Sequence, residues 1–390
     1  MERIKKFLLE RERAGTLRSL APLTRLGRGW IRLLDSEDRL LDFSSNDYLA
    51  LSEHPEVIAA SRKYLEMFGT GAGAARLMSG DLEINHLLEQ EIAGLKSKEA
   101  ALIFGSGYLA NTGIIPALAG RGDLIITDRL SHASIYDGCL LSGARTIRFR
   151  HNDLVHLEQI LLEKRSQFNS CLVVVESIYS MDGDRCPLVE LVQLKKHHDF
   201  LLMVDEAHAT GLYGENGAGI IEEDRVSREV DIAMGTFGKA LGSYGAYVAA
   251  SRELVDFFVN KARTFIYSTA LPPAVVGAAL ASLYLVKSEP QLRMDLHAKA
   301  AFFKKQLRKN GLKDDPGPSQ IIPFMVGDSV KAMAMEEDLR RNHIYVKAVR
   351  PPTVPENSAR LRFSITRHHQ EEDLKRCAKL LAAAFRNISV

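Results

Sequence analysis

The chain has 390 residues, enough for two or three domains and a large core. Its 51 basic and 49 acidic residues are interspersed and leave a net charge of +2, so nothing calls for nucleic acid or a membrane surface as partner. The four cysteines, Cys139, Cys171, Cys186 and Cys377, make no C-x-x-C pair and read as reduced residues in or near the core of a cytoplasmic protein.

The first segment, 1–13, is charged throughout, which leaves no apolar core for a signal peptide, and its spacing predicts an amphipathic helix. After a stretch with Pro22 and several arginines, apolar-rich runs at 30–34 and 39–43 flank Asp35-Ser-Glu-Asp38 and predict a hairpin. Residues 1–45 are thus expected to form an N-terminal arm. From 46 to 286 strand and helix patterns alternate. Apolar runs at 100–104, 124–127, 146–149, 171–175, 201–204, 232–234 and 247–250 are mostly separated by helical periodicity, as at 83–95, 152–165 and 188–197. That rhythm predicts a large α/β domain with a mostly parallel seven-stranded sheet sandwiched by helices. The stretch 270–286 contains Pro272-Pro273 and falls short of the roughly 20 apolar residues of a membrane span. It reads as a buried helix starting at the prolines. Beyond 286 come a helical stretch to Asn310, a linker at 311–318, strand-like runs at 321–326, 345–348 and 360–365, a helix near 329–342 and a final helix. These predict a smaller α+β domain over 287–390.

The chemistry centres on Lys239, held among small residues in Thr236-Phe-Gly-Lys239-Ala-Leu-Gly between two apolar runs. A desolvated lysine amine condenses with carbonyls, and glycines let the backbone approach a flat ring and a phosphate. Taken alone, a lysine in a glycine-rich loop is more often a solvated turn. Its partner lies upstream, where the run 200–204 ends in Asp205-Glu-Ala-His208. Carboxyl ends of strands in an open parallel sheet line the ligand crevice. An aspartate there would pair with the protonated pyridine nitrogen of pyridoxal 5'-phosphate (PLP), and His208 would reach the ring hydroxyl. Lys239 and Asp205 together reverse the odds.

Rival readings exist. Gly105-Ser-Gly107-Tyr-Leu-Ala110 follows a strand and opens a helix, and Asp128 ends the next strand, close to a dinucleotide fingerprint with its acid about 20 residues on. A nicotinamide-dependent dehydrogenase, however, leaves Asp205 and Lys239 unexplained. Both readings share a helix N-terminus whose free amides bind phosphate, so Gly107 and Tyr108 are assigned to the PLP phosphate. Asp205-Glu-Ala-His208 also spells the acidic box of some helicases. The required phosphate loop is missing, since Gly235-Thr-Phe-Gly-Lys239-Ala comes afterwards and lacks the hydroxyl after lysine. His132, in Ser131-His132-Ala-Ser134, opens a helix just past a strand end, which suits either a helix cap or a ring stacked on the cofactor. In Glu176-Ser-Ile-Tyr-Ser180-Met-Asp-Gly183, Glu176 stands at a strand's carboxyl end and Ser180 would bind the phenolic oxygen; Asp182-Gly183 carries turn chemistry.

A set of segments spread over nearly the whole chain resembles the α-oxoamine synthases, fold-type-I PLP-dependent transferases that condense an amino acid with an acyl thioester and release carbon dioxide. They are Phe43-Ser-Ser-Asn46-Asp-Tyr-Leu-Ala-Leu, Gly71-Ala-Gly-Ala-Ala-Arg76-Leu-Met-Ser-Gly80, Asp128-Arg-Leu-Ser-His132-Ala-Ser134, Ser180-Met-Asp-Gly-Asp184, Val204-Asp-Glu-Ala-His208, Thr236-Phe-Gly-Lys239 and Tyr267-Ser-Thr269. The resemblance implies that Lys239 forms the Schiff base with PLP, Asp205 pairs with the pyridinium and His132 stacks on the ring. It further implies that His208 and Ser180 meet the phenolic oxygen, that Gly107, Tyr108 and Thr236 serve the cofactor near its phosphate and lysine, and that Glu176 belongs to the cofactor-binding set. Ser268 and Thr269 would reach the phosphate in a neighbouring subunit, which implies a homodimer with active sites at the interface. Arg362 would bind the amino-acid carboxylate with Asn46 nearby, and Arg18 and Thr353 would contact substrate. The stretch 349–362 is most similar to the biotin-pathway branch, implying L-alanine and a pimeloyl thioester, carried on CoA or acyl carrier protein, as substrates. No targeting extension is expected. Another branch, condensing glycine with acetyl-CoA, is the nearest alternative. A catalytically silent subunit of the same fold would need none of Lys239, Asp205 and His132. Ala209 and Ala218 stand where relatives usually carry glycine or a polar residue, which bears on local loop geometry.

Overall fold

Short runs rich in aliphatic residues, each bounded by glycine or polar turns, form one seven-stranded sheet. Its spatial order is Ala100–Phe104, Ala246–Ala250, Ile232–Thr236, Leu201–Asp205, Cys171–Glu176, Leu124–Asp128 and Arg145–Phe149. Strand Ala246–Ala250 runs antiparallel to both of its neighbours, and the remaining pairings are parallel. The mostly parallel sheet read from the sequence is therefore present, with each of the seven runs in it. The computed structural model describes residues 1–312 and 317–388, which fall into two compact units. The sheet belongs to the unit made of Leu49–Ser180 and Arg185–Arg293.

Both faces of the sheet are buried, as a parallel sheet requires. One set of alternating side chains, including Leu102, Phe104, Leu172, Val174, Met203, Ile232, Met234 and Val248, packs with Ile114, Ile115, Val255 and Phe258 from helices Gly107–Leu118 and Arg252–Lys261. The other set, with Ile103, Val173, Val175, Leu202, Val204 and Tyr247, is equally shielded from solvent. The helices expected at 83–95 and 188–197 are Glu83–Lys96 and Leu188–His197, and that at 152–165 is Leu154–Lys164 followed by a short 3-10 turn. The proline-led helix is Pro273–Ser288, with proline in its first turn, where the missing N–H costs nothing. All four cysteines are free thiols and buried.

The other unit combines Met1–Tyr48, Met181–Asp184 and Met294–Val390. The expected hairpin pairs Trp30–Leu33 with Arg39–Asp42. It is extended by Leu23–Gly27, a strand that carries no apolar alternation because its residues are mostly exposed. The run expected at 345–348 is split between two sheets. Ile344–Tyr345 pairs with the hairpin, whereas Ala348–Val349 pairs with Ala359–Ser364, which also pairs with Ile321–Gly327. The switch falls at Lys347, whose N–H donates to Ser44 Oγ at 3.1 Å instead of to a strand. Phe43, Phe303 and Phe363 form an aromatic core here, with the His369 ring stacked on Phe43 at 4.1 Å. Helices Gln291–Lys309, Ser329–Arg341 and Glu371–Ile388 match the helical patterns read for this region. The expected linker at 311–318 includes 313–316, outside the described residues.

Candidate active site

Parallel strands that end in register bring their last residues together. Glu176 pairs with Asp205, and Asp205 with Met234, so two carboxylates and the start of the Thr236 loop meet at one edge of the sheet. Here a cavity of about 200 Å³ is lined by Gly107, Tyr108, His132, Glu176, Asp205, His208, Thr236 and Lys239, together with Asn111, Ser134, Ala207 and Met234.

Asp205 is 5% exposed. Its Oδ1 accepts from the Ala207 N–H at 2.9 Å and its Oδ2 from Asn111 Nδ2 at 3.0 Å. The first bond follows from the tight turn into Ala207-His208, and it also aims His208 at the lysine. Lys239 Nζ lies 3.0 Å from His208 Nε2. The turn carrying Lys239 is closed by the Gly242 N–H donating to the Lys239 carbonyl at 2.9 Å.

His132 is the N-cap of helix Ala133–Ser142, and its Nδ1 accepts from the Ser134 N–H at 3.2 Å. The same histidine thus caps the helix and lines the cavity. Burial, opposed by Asp205 and reinforced by Lys239, pulls its pKa below the usual imidazole range. Its ring is therefore neutral and suited to lie against a π-system. Glu176 Oε1 accepts from the His132 N–H at 2.5 Å. Burial first, then the charge of Asp205, push the Glu176 carboxyl well above its ordinary value.

Helix Gly107–Leu118 points its first turn at the cavity, with Ser106 Oγ accepting from the Leu109 N–H at 3.2 Å. That leaves the Gly107 and Tyr108 amides for an anion. Only glycine fits at 107, because a Cβ there would stand 2.8 Å from Thr236 Cγ2. Among the described residues, Thr236 Oγ1 and Asn111 Oδ1 are buried without a hydrogen-bond partner, so the site carries polar capacity that the chain does not use itself. An amine, a carboxylate able to hold a ring N–H, a neutral imidazole and an amide-rich helix start fit a phosphorylated pyridine aldehyde.

Ser180, Ser268 and Thr269 do not line this cavity. Ser180 is half-buried beyond the strand Cys171–Glu176. Ser268 and Thr269 line a smaller cavity with Arg76 and Gly105, where Thr269 bridges to Ala75. In the other unit, Arg362 is 8% exposed and donates to Asn46 Oδ1 at 3.2 Å and to Ser364 Oγ at 2.8 Å. Arg18 donates to Thr353 Oγ1 at 2.6 Å. Of the five substrate residues anticipated from sequence, His132 lines the Lys239 cavity and the other four form two pairs, Arg18 with Thr353 and Arg362 with Asn46. Asn111 has no place in the sequence reading, and Ser134 appears there only within the segment around His132; a lone asparagine within the apolar helix 107–118 is the available signal.

Residues 38–381 match the family Aminotransferase class I and II. The 8-amino-7-oxononanoate synthase of Geobacter sulfurreducens is 47% identical over 348 residues, 89% of this chain and 89% of that one. This chain belongs to the 8-amino-7-oxononanoate synthase family. Among solved structures, one of the serine palmitoyltransferase SPT with a PLP internal aldimine superposes with TM-score 0.93 at 30% identity, covering 100% of this chain and 99% of that one. The 8-amino-7-oxononanoate synthase of Francisella tularensis gives TM-score 0.78 at 28% identity, covering 90% and 99%. The fold is thus that of the fold-type-I PLP transferases. Among the described residues, no helix is long and apolar enough to cross a membrane.

Proposed function

We propose that this protein is a PLP-dependent acyltransferase that makes 8-amino-7-oxononanoate for biotin synthesis. In the proposed reaction the Cα of L-alanine bonds to the carbonyl carbon of a pimeloyl thioester, the C–S bond breaks to release the thiol of CoA or acyl carrier protein, and the alanine carboxyl leaves as carbon dioxide. The observation that carries the reading is one cavity lined by Lys239, Asp205, His132 and the helix-start residues Gly107 and Tyr108.

When bound, PLP supplies a carbonyl that condenses with an amine and a protonated ring that draws off the electron pair left at the alanine Cα. The chain's residues do the rest. Lys239 Nζ would hold the cofactor and, when freed by the substrate amine, would serve as general base for the alanine Cα proton and return one there. The Asp205 carboxylate keeps the ring nitrogen protonated, which sets how much charge the ring accepts. His208 sits 3.0 Å from Lys239 Nζ and is placed for the phenolic oxygen beside it, with Ser180 as a second donor. The His132 imidazole, its pKa lowered by burial, would lie against the ring. The amides at 107 and 108, with Thr236 Oγ1, hold the phosphate end, and Glu176 fixes the His132 backbone.

Arg362, hydrogen-bonded to Asn46, binds the alanine carboxylate, and Arg18 and Thr353, hydrogen-bonded to each other, contact substrate. Ser268 and Thr269, set on a cavity apart from Lys239, serve the phosphate in a second copy of the chain, so the working form is a homodimer. Four buried free thiols suit a reducing cytoplasm. The test is to titrate the purified protein with PLP and follow the visible band of the lysine Schiff base in wild type and Lys239→Ala. Uptake with a band in wild type and none in the variant supports the reading; the same band in both overturns it.

A further inference from the structure

We infer that Asn111 is a positioning residue of this site: one N–H of its amide holds the Asp205 carboxylate and the other orients Ser134 toward His132. The inference rests on the PLP reading above. Asn111 is 1% exposed, on the second turn of helix Gly107–Leu118, where its neighbours Ala110, Ile114 and Ile115 are core residues. Its Nδ2 lies 3.0 Å from Asp205 Oδ2 and 2.9 Å from Ser134 Oγ. Ser134 Oγ in turn lies 2.7 Å from His132 Nδ1.

Donor and acceptor counting gives this chain a direction. An ionised carboxylate only accepts, so the amide presents nitrogen to Asp205. The second Nδ2 hydrogen then goes to Ser134 Oγ, which leaves the serine O–H to donate to His132 Nδ1. The Ser134 N–H donates to the same atom. With two donors converging on it, Nδ1 carries no proton, and the neutral ring holds its hydrogen on Nε2. Asn111 Oδ1 is left buried without a partner among the described residues, so the amide is not there to satisfy itself. A leucine would pack on this helix as its neighbours do. What it could not do is hold the Oδ2 side of Asp205, whose Oδ1 side is held by Ala207 N–H. The two groups expected against the ring, one at its nitrogen and one on its face, are therefore linked through a single side chain.

The test compares wild type, Asn111→Leu and Ser134→Ala, each checked for folding by circular dichroism. PLP affinity is measured by titration, kcat and KM for L-alanine in the loaded enzyme, and the His132 tautomer by imidazole ¹⁵N shifts in the PLP-free protein. Losing a hydrogen bond to a charged group predicts that Asn111→Leu weakens PLP binding and lowers kcat by about 10- to 100-fold, with KM for alanine changed less than about 2-fold. Ser134→Ala keeps the Asp205 branch, so it moves the His132 shifts while PLP affinity falls by at most about 10-fold, the effect of one neutral hydrogen bond. A folded Asn111→Leu that binds PLP like wild type and leaves the His132 shifts in place overturns the inference alone. Unmoved shifts in Ser134→Ala overturn the relay to His132. Wild type that takes up no PLP overturns the reading of the site itself, and the inference with it.

Discussion

Replacing Lys96 by methionine removes the positive half of an ion pair directly behind the catalytic strand end. Lys96 closes helix Glu83–Lys96, and its Nζ stands 2.6 Å from Glu206 Oε2 and 3.2 Å from Thr210 Oγ1, and also donates to the Ala218 carbonyl. The two charged side chains are 1% and 0% exposed. Burial opposes the ammonium charge, but the Glu206 carboxylate outweighs it and the lysine pKa is raised. Glu206 Oε1 also accepts from the Ile221 N–H at 3.0 Å, and Gly219, at φ +119°, leaves no room for a side chain beside that carboxylate. Lys96→Met therefore strands a buried charge that cannot move to solvent, at a cost of about 3–5 kcal/mol. For 390 residues the entropy of unfolding is roughly 0.8 kcal/mol/K, which converts that loss to a fall in Tm of about 4–6 °C. Scanning calorimetry of the PLP-free protein measures it. The double variant Lys96→Met/Glu206→Leu removes both charges and recovers most of the loss, since apolar pairs replace buried ion pairs at little cost. A single-variant shift below about 1 °C, or a double variant less stable than Lys96→Met, would refute the reasoning.

Two further outcomes follow from the geometry. Asp205→Asn keeps the shape but no longer holds a proton on the ring nitrogen, so alanine Cα–H exchange in deuterated solvent slows by about 100-fold or more, the scale of a lost charge-assisted contact in a dry site; exchange at the wild-type rate contradicts the role given to Asp205. His369 is fully buried, its Nδ1 accepting from the Thr366 N–H at 3.0 Å and its Nε2 3.1 Å from the Asp42 carbonyl, and burial pulls its pKa down to about 3. A base depressed on folding gives stability that is complete above its unfolded pKa near 6.5 and is lost as pH falls towards 3. At pH about 4.5 the loss is about 3 kcal/mol, so urea midpoints of wild type fall more steeply between pH about 7 and 4.5 than those of His369→Leu; parallel pH profiles would contradict it.

Much of this was legible in the sequence because burial and position write strong signals. The inner strands of the large sheet are covered on both faces and so read as apolar runs, whereas the edge strand Arg145–Phe149 is partly exposed. Lys239, Asp205, His208 and Gly107 stand at strand ends beside glycines or sharp turns, where little except ligand chemistry asks for those residue types. Strand Leu23–Gly27 gave no such signal, since its Thr24 and Arg25 face solvent. Asn111 and Lys96 were hidden for a different reason. Asparagine inside an apolar helix is a local irregularity that names no partner, and lysine in a last turn is an ordinary local choice. Only the pairing of strands and helices puts the first against Asp205 and the second against Glu206.

The central claim is that the Lys239 cavity joins alanine to a pimeloyl thioester. Its most direct test is mass spectrometry of the PLP-loaded protein incubated with pimeloyl-CoA and, separately, L-alanine, glycine and L-serine. The account predicts 8-amino-7-oxononanoate, with equimolar free CoA and carbon dioxide, from L-alanine and none from Lys239→Ala. Turnover with glycine or serine but not alanine would contradict the proposed substrate, and no product with any of the three would contradict the claim itself.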